Sequence, residues 1–244
     1  MLMNKKAVML AFVLLLSISF APISFAQQSI FEAAARGDLE GIKTFLEKGV
    51  SIDQRDRYGQ TPLMYAIAEE HVDAVKFLLE NRADPNAQDG DGITPLMFAV
   101  VLGNSGIVIL LLDEGANANL GNKGGKTPLM FAVEGHSDIV ELLIKNGAGV
   151  NDEDNDGWTP LMFAAGGGDV KSMEILLRDG AQVNVQEKDG LTPLICATLG
   201  EHPGAVALLL ENGADPKIRD RGGWDALRHA RHVGNAEIIS ILQR

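Results

Sequence analysis

Cysteine is almost absent from this chain, which has Cys196 as its single thiol among 244 residues. No disulfide can therefore form within the chain, and its stability must come from packing. Long hydrophobic runs are also missing beyond the first 26 residues, where no stretch approaches the roughly 20 apolar residues that cross a bilayer. We therefore expect no membrane insertion by the body of the chain.

The chain has fewer basic than acidic residues. Lys and Arg together number 21 against 33 Asp and Glu, so the formal net charge is −12. Such a surface repels nucleic acid and anionic lipid at long range, which argues against either as a partner. The same surface attracts basic proteins, so we expect another protein, basic in character, as the partner.

The N-terminus has the pattern of a secretory signal peptide. Lys5 and Lys6 precede an apolar run over residues 7–20, and Ser24-Phe25-Ala26 supplies small residues at a cleavage site. We expect cleavage after Ala26, which makes residues 1–26 a signal peptide. The alternative is an N-terminal membrane anchor, for which the apolar run is short. With no disulfide, the expected location is the bacterial periplasm, or secretion from a bacterium.

A tetrapeptide recurs along the rest of the chain. Thr-Pro-Leu-Met begins at Thr61, Thr94, Thr127 and Thr159, and Thr-Pro-Leu-Ile begins at Thr192, at steps of 32 or 33 residues. In this spacing and motif the chain resembles the ankyrin-repeat family. The resemblance implies an all-α solenoid of stacked helix-turn-helix units with short β-hairpin tips. It places about seven units in residues 27–244, with atypical units at both ends.

Within a repeat, each residue type has a local role. Thr94 is suited to cap the first helix and Pro95 to occupy its first position, while Gly103 is suited to end it. The methionine of each copy falls where neighbouring repeats pack, as does Cys196, so we expect a buried methionine row and a buried thiol. The copy from Thr127 is one residue short near Glu134-Gly135, which predicts a local irregularity.

Residues that suggest chemistry have simpler interpretations here. Asp152 to Gly157 begins like an EF-hand loop, but the position of its bidentate Glu is Phe163, so we predict a turn and leave weak calcium binding open. His71, His136 and His202 are separated along the stack, and His229 and His232 lie three residues apart on one helix. No base stands beside a nucleophile. We predict no enzyme, no cofactor and no metal site.

The resemblance also implies a concave face that binds a partner, made of hairpin tips and first-helix ends. Apolar and aromatic groups clustered on such a face are typical of binding hot spots. Trp158 and Trp224 have an alternative role, which is packing on their own hairpins. The positions of this chain that match the face are Tyr58, Ile93, Val101, Leu102, Lys126, Trp158, Leu191, Leu199 and Trp224.

These observations predict a monomeric, non-enzymatic protein–protein interaction module in the periplasm. Two alternatives remain open at this point. The first is an immunity or inhibitor protein against a periplasmic toxin or hydrolase, a part that exported bacterial ankyrin proteins can play. The second is an accessory to peroxide, catalase or haem defence. Fold alone does not choose among them.

Overall fold

The computed structural model describes residues 29–243, which fold as helix pairs without a β-strand. The predicted signal peptide lies outside the described residues. The chain forms two compact units, each held together by its own internal contacts, with the boundary between Asp84 and Pro85. In both units a short first helix is followed by a second helix of mostly nine residues.

The first unit has two helix pairs in its described part, residues 29–84. A capping box at Ser29 and Glu32 starts its first helix in place of the Thr-Pro motif. The first helices pack against each other, as do the second helices. The helices are α1 (Ile30–Ala35), α2 (Leu39–Glu47), α3 (Pro62–Ala68) and α4 (Val72–Glu80).

The second unit has five helix pairs in residues 85–243. Each first helix packs against the next first helix, and each second helix against the next second helix. The first helices are α5 (Pro95–Leu102), α7 (Pro128–Ala132), α9 (Pro160–Gly167), α11 (Pro193–Leu199) and α13 (Ala226–Val233). The second helices are α6 (Ser105–Asp113), α8 (Ser137–Lys145), α10 (Val170–Arg178), α12 (Pro203–Glu211) and α14 (Ala236–Leu242).

Within each unit the core lies between neighbouring repeats, as the methionine row predicts. Met64, Met97, Met130 and Met162 are at most 1% exposed. Arg228 takes the methionine position in the last repeat, where no following repeat of the described chain packs against it, and it is exposed. An end repeat has no neighbour on one side and accepts a polar side chain at such a position.

Threonine capping is confirmed in the regular repeats and lost in the short one. The Oγ1 atoms of Thr94 and Thr159 accept hydrogen bonds from the backbone N–H of Met97 and Met162, at 3.2 and 3.4 Å. Thr127 makes no such bond, and its helix α7 has only five residues. The missing residue therefore shortens the first helix, which is the predicted irregularity.

The hairpin tips are turns, each held by one side chain at its start. Asp154 is an example, since its Oδ1 accepts hydrogen bonds from the N–H groups of Asp156 and Trp158, and its own N–H donates to the Trp158 carbonyl. Neighbouring tips of the second unit are joined by backbone hydrogen bonds, such as that from Lys188 to Asp156 at 3.1 Å. These bonds align the tips without forming strands.

An asparagine ladder joins the loops that follow the second helices. In each rung the side-chain amide donates to the carbonyl of a glycine in the next repeat. Asn119, for example, donates to Gly147 and accepts the N–H of Gly149. The four rungs of the second unit start at Asn86, Asn119, Asn151 and Asn184.

Candidate protein-binding face

The candidate site is the face of the second unit that carries the first helices and the bases of the tips. We call the residue just before the first-helix cap of each repeat the tip-base row. Its members in this unit are Ile93, Lys126, Trp158, Leu191 and Trp224, all of them partly exposed. Five of the predicted site residues thus recur at one position of successive repeats.

Trp158 packs on an aromatic ring of its own repeat. Its ring centroid lies 5.1 Å from that of Phe163, one turn into α9. The Nζ of Lys126, from the preceding repeat, lies 4.1 Å from the centroid of the same Phe163 ring. The structure therefore brings two predicted site residues, Trp158 and Lys126, together on the ring of Phe163. The cation–π contact of Lys126 links adjacent repeats.

Trp224 has a different environment at the end of the unit. The guanidinium carbon of Arg228 lies 4.4 Å from its ring centroid, and the rings of His229 and His232 each lie 5.2 Å away. The Nε2 of His229 is in turn 2.7 Å from Oδ2 of Asp220, and Oδ1 of Asp220 accepts a hydrogen bond from the backbone N–H of Trp224. Both tryptophans thus pack on their own repeats, as the alternative interpretation proposed, while remaining partly exposed.

Charge and burial act in opposite directions on Asp220. Burial raises the pKa of this carboxyl, but the Trp224 N–H, the His229 imidazole and the Gly222 N–H outweigh it. The net effect is a lowered pKa, so the carboxylate form is favoured. The last tip is therefore held by an ionised carboxylate that also orients a histidine beneath Trp224.

The ends of the first helices supply the remaining apolar groups. Leu199 is 41% exposed, and Val101 and Leu102 are partly exposed at the end of α5. Between these positions α9 ends in Gly166 and Gly167, and a Cβ built on Gly167 meets no atom within 4 Å. This part of the face is consequently open, with apolar groups on either side along the stack.

Tyr58 belongs to the first unit, at the tip before α3. It is 46% exposed, and the guanidinium carbon of Arg57 lies 4.6 Å from its ring centroid. Tyr65, in α3, donates its hydroxyl hydrogen to Asp56 at 2.9 Å, and burial followed by that bond raises its pKa. The first unit therefore has an aromatic residue and a cation at its tip as well.

Three contacts of the face were missed by sequence reasoning, namely those of Phe163, Arg228 and His229. Phe163 is partly exposed and supports both Trp158 and Lys126. The signal that could have found Phe163 and His229 is the period itself, because the residue five positions after each tryptophan lies one turn into the helix beside it. His229 and His232, which lie three residues apart on α13, both face Trp224.

The other chemical candidates have structural roles. Cys196 is buried, and burial followed by the charge of Glu187 raises its pKa to about 12. His71 packs over Gly37 of the preceding repeat and its Nε2 lies 3.0 Å from the Ala35 carbonyl. Within residues 29–243 there is no group of three His, Cys, Asp or Glu side chains placed to hold a metal ion.

The described helices are also too short or too polar to span a bilayer.

The family model for ankyrin repeats matches the chain in three copies, over residues 10–89, 83–154 and 146–220. The chain belongs to the ankyrin-repeat family. Within this family, repeats are typically non-catalytic and bind other proteins.

Solved structures of ankyrin-repeat domains have the same fold as this chain. The crystal structure of the human ASB11 ankyrin repeat domain is similar, with 30% sequence identity and a TM-score of 0.78. The match covers 89% of this chain and 97% of that one. In all, 621 chains of solved structures match, so the ankyrin fold by itself does not select a partner. No curated protein matches the sequence.

Proposed function

We propose that this ankyrin-repeat protein is a non-enzymatic module that holds a partner protein against the first-helix face of residues 85–243. One observation carries the proposal. Partly exposed aromatic and aliphatic side chains recur on that face, centred on Trp158, Leu191, Leu199 and Trp224. Clusters of this kind, backed by rigid helices, provide the few contacts that dominate binding energy.

The overall charge supports a basic partner. At a net charge of −12, the chain accelerates the approach of a positively charged protein, an effect that weakens as salt is added. The proposal includes export of a monomer to the periplasm after cleavage behind Ala26. The intact mass of the protein recovered from the cell envelope fraction tests this, since a protein that still contains residues 1–26 would contradict it.

A matched pair of variants tests the face. Leu199 on α11 and Ile109 on α6 are 41% and 42% exposed, so a change to Asp adds the same charge at equal exposure. Wild-type protein is used to capture a partner from an extract of the source cells, and its affinity for each variant is then measured. We expect Leu199→Asp to weaken binding at least tenfold, which is about 1.4 kcal/mol, and Ile109→Asp to leave it unchanged.

A second pair fills space instead of adding charge. Gly167→Leu places a side chain in the open part of the face, where a Cβ meets nothing within 4 Å. Gly204→Leu adds the same side chain on α12, where a Cβ makes an ordinary contact with Val170 at 3.6 Å. Because glycine is unfavourable inside a helix, neither change should unfold the protein. Loss of the partner with Gly167→Leu alone supports the proposal. Equal binding by both variants, or loss with Gly204→Leu only, contradicts it.

A further inference from the structure

Four of the five first helices of the second unit differ in charge from its second helices. Within α5, α7, α9 and α11 there is no charged residue, although the chain has 33 acidic and 21 basic residues. Every second helix of this unit, from α6 to α14, contains at least one acidic residue. A segment bound along these four first helices therefore meets helices without charge, and Lys126 is the charged residue of the tip-base row beside them.

The last first helix, α13, carries positive charge and no negative charge. Arg228 and Arg231 are exposed on this helix, and the Arg228 guanidinium and the His232 ring both lie against Trp224, at the end of the tip-base row. No carboxylate of the described residues lies within 4.0 Å of either guanidinium. The two acidic residues just before α13 are already engaged, Asp220 with Trp224 and His229, and Asp225 with the backbone N–H of Arg228.

The two ends of the described chain differ in the same sense. Residues 217–243 contain five basic and three acidic residues, whereas residues 29–216 contain thirteen basic and thirty acidic. The basic region thus coincides with the end of the tip-base row. An anionic group on a partner finds favourable charge there, and repulsion along most of the remaining surface.

We propose that the partner's bound segment is apolar where it crosses Trp158, Leu191 and Leu199, and presents Asp or Glu carboxylates to Arg228 and Arg231. This rests on the proposed function and adds the chemistry of the bound segment and its direction. Guanidinium groups bind carboxylates through paired, charge-assisted hydrogen bonds. The whole partner can still be basic, because net charge governs the approach and local charge governs the contact.

Two fluorescent peptides test the direction of charge. They share the sequence Leu-Ser-Leu-Phe-Ser-Leu and end in a run of aspartates or a run of lysines. Binding is followed by fluorescence anisotropy with protein purified from cells that express the full chain. We expect the aspartate peptide to bind about tenfold more tightly than the lysine peptide. A preference for lysine, or no binding of either peptide, would overturn the proposal.

A pair of double variants separates local from overall charge. Arg228→Gln/Arg231→Gln removes two positive charges from α13, and Lys145→Gln/Lys171→Gln removes two from α8 and α10, where both lysines are exposed. The arginine variant should lose about tenfold in affinity for the aspartate peptide, and the lysine variant less than about twofold. Equal losses would show that only net charge matters and would contradict the inference.

The captured partner distinguishes this inference from the proposed function. If Leu199→Asp releases the partner while Arg228→Gln/Arg231→Gln retains it in full, the face is the binding site and the charge assignment is wrong. If both variants retain the partner, the proposed function itself has failed. Release by both variants, with retention by the lysine variant, supports the two proposals together.

Discussion

The two tryptophan sites of the second unit are built differently, although Trp158 and Trp224 occupy the same repeat position. In the middle of the unit Trp158 lies on Phe163, and the cation over that ring, Lys126, comes from the preceding repeat. At the end Trp224 has Arg228 and His229 from its own repeat, with Asp220 behind the histidine. A central repeat thus relies on its neighbours, whereas the terminal repeat supplies polar groups of its own.

The methionine position gives the largest expected difference between the two regions. Met162 is fully buried between repeats, and Arg228 is its exposed equivalent in the last repeat. Met162→Arg buries an unpaired charge and should lower the free energy of unfolding by more than about 4 kcal/mol. Arg228→Met should change it by less than about 0.5 kcal/mol. Urea denaturation followed by circular dichroism measures both.

A similar loss in the two variants would mean that the terminal repeat is packed like a central one. Position 228 would then be as buried as position 162. A leucine at position 162 serves as the control, because a change from Met to Leu nearly conserves volume in a buried site.

The ionic support of the last tip gives a smaller effect that depends on pH. Asp220→Asn removes the carboxylate that binds the His229 ring and should lower stability by about 1–2 kcal/mol near neutral pH. Because the folded pKa of Asp220 is lowered, its contribution is present above the unfolded pKa of about 3.9 and is lost as pH falls through the folded value. The wild type and the variant should therefore converge in urea denaturation once the pH lies below the lowered folded pKa of Asp220.

A difference that persists unchanged at acid pH would contradict this account, since it would show that the charge on Asp220 is unimportant. Asp189→Asn is the matched control, because its exposed carboxylate makes only a 3.9 Å ion pair with Arg221. Exposed pairs of this kind contribute little to stability.

Helix capping distinguishes the regular repeats from the short one by about 1 kcal/mol. Thr159→Ala removes the hydrogen bond to the Met162 N–H, whereas Thr127 has no such bond to lose. Thr159→Ala should therefore destabilise the protein by about 1 kcal/mol and Thr127→Ala by a few tenths. Urea denaturation of the two variants gives the comparison, and equal losses would show that Thr127 does cap its helix.

The smallest change is one of reactivity. Burial and the raised pKa of Cys196 both keep its thiol from alkylation near neutral pH. We expect slow labelling by iodoacetamide in the native protein and complete labelling in urea. A cysteine placed at Leu199 in the Cys196→Ser background should react quickly, as that position is exposed. Rapid labelling of native Cys196 would show that the packing around α11 opens in solution.

Much of the fold could be predicted from the sequence because its signals are local and repeat at a fixed period. Thr94 and Pro95 start a helix within one turn, Gly103 ends it, and the buried methionines recur with the same spacing. The β-hairpin part of the prediction was too specific, since turns held by side chains such as Asp154 align the tips without strands.

The contacts of the candidate site were harder to predict because they join different repeats or different turns. Lys126 and Phe163 are far apart in sequence and meet only when two repeats stack. The asparagine ladder depends on the same stacking, although its period is visible once Asn119 is seen to bond across to Gly147. Exposure could not be predicted either, as Leu199 is open while Cys196, three residues earlier, is buried.

The most direct test of the central claim is photocrosslinking from two positions of equal exposure. Benzoylphenylalanine is introduced in place of Leu199 on the first-helix face and, separately, in place of Ile109 on the second-helix side. We expect the captured partner to be crosslinked from position 199 and not from position 109. Crosslinking from position 109 alone, or equally from both, would contradict it.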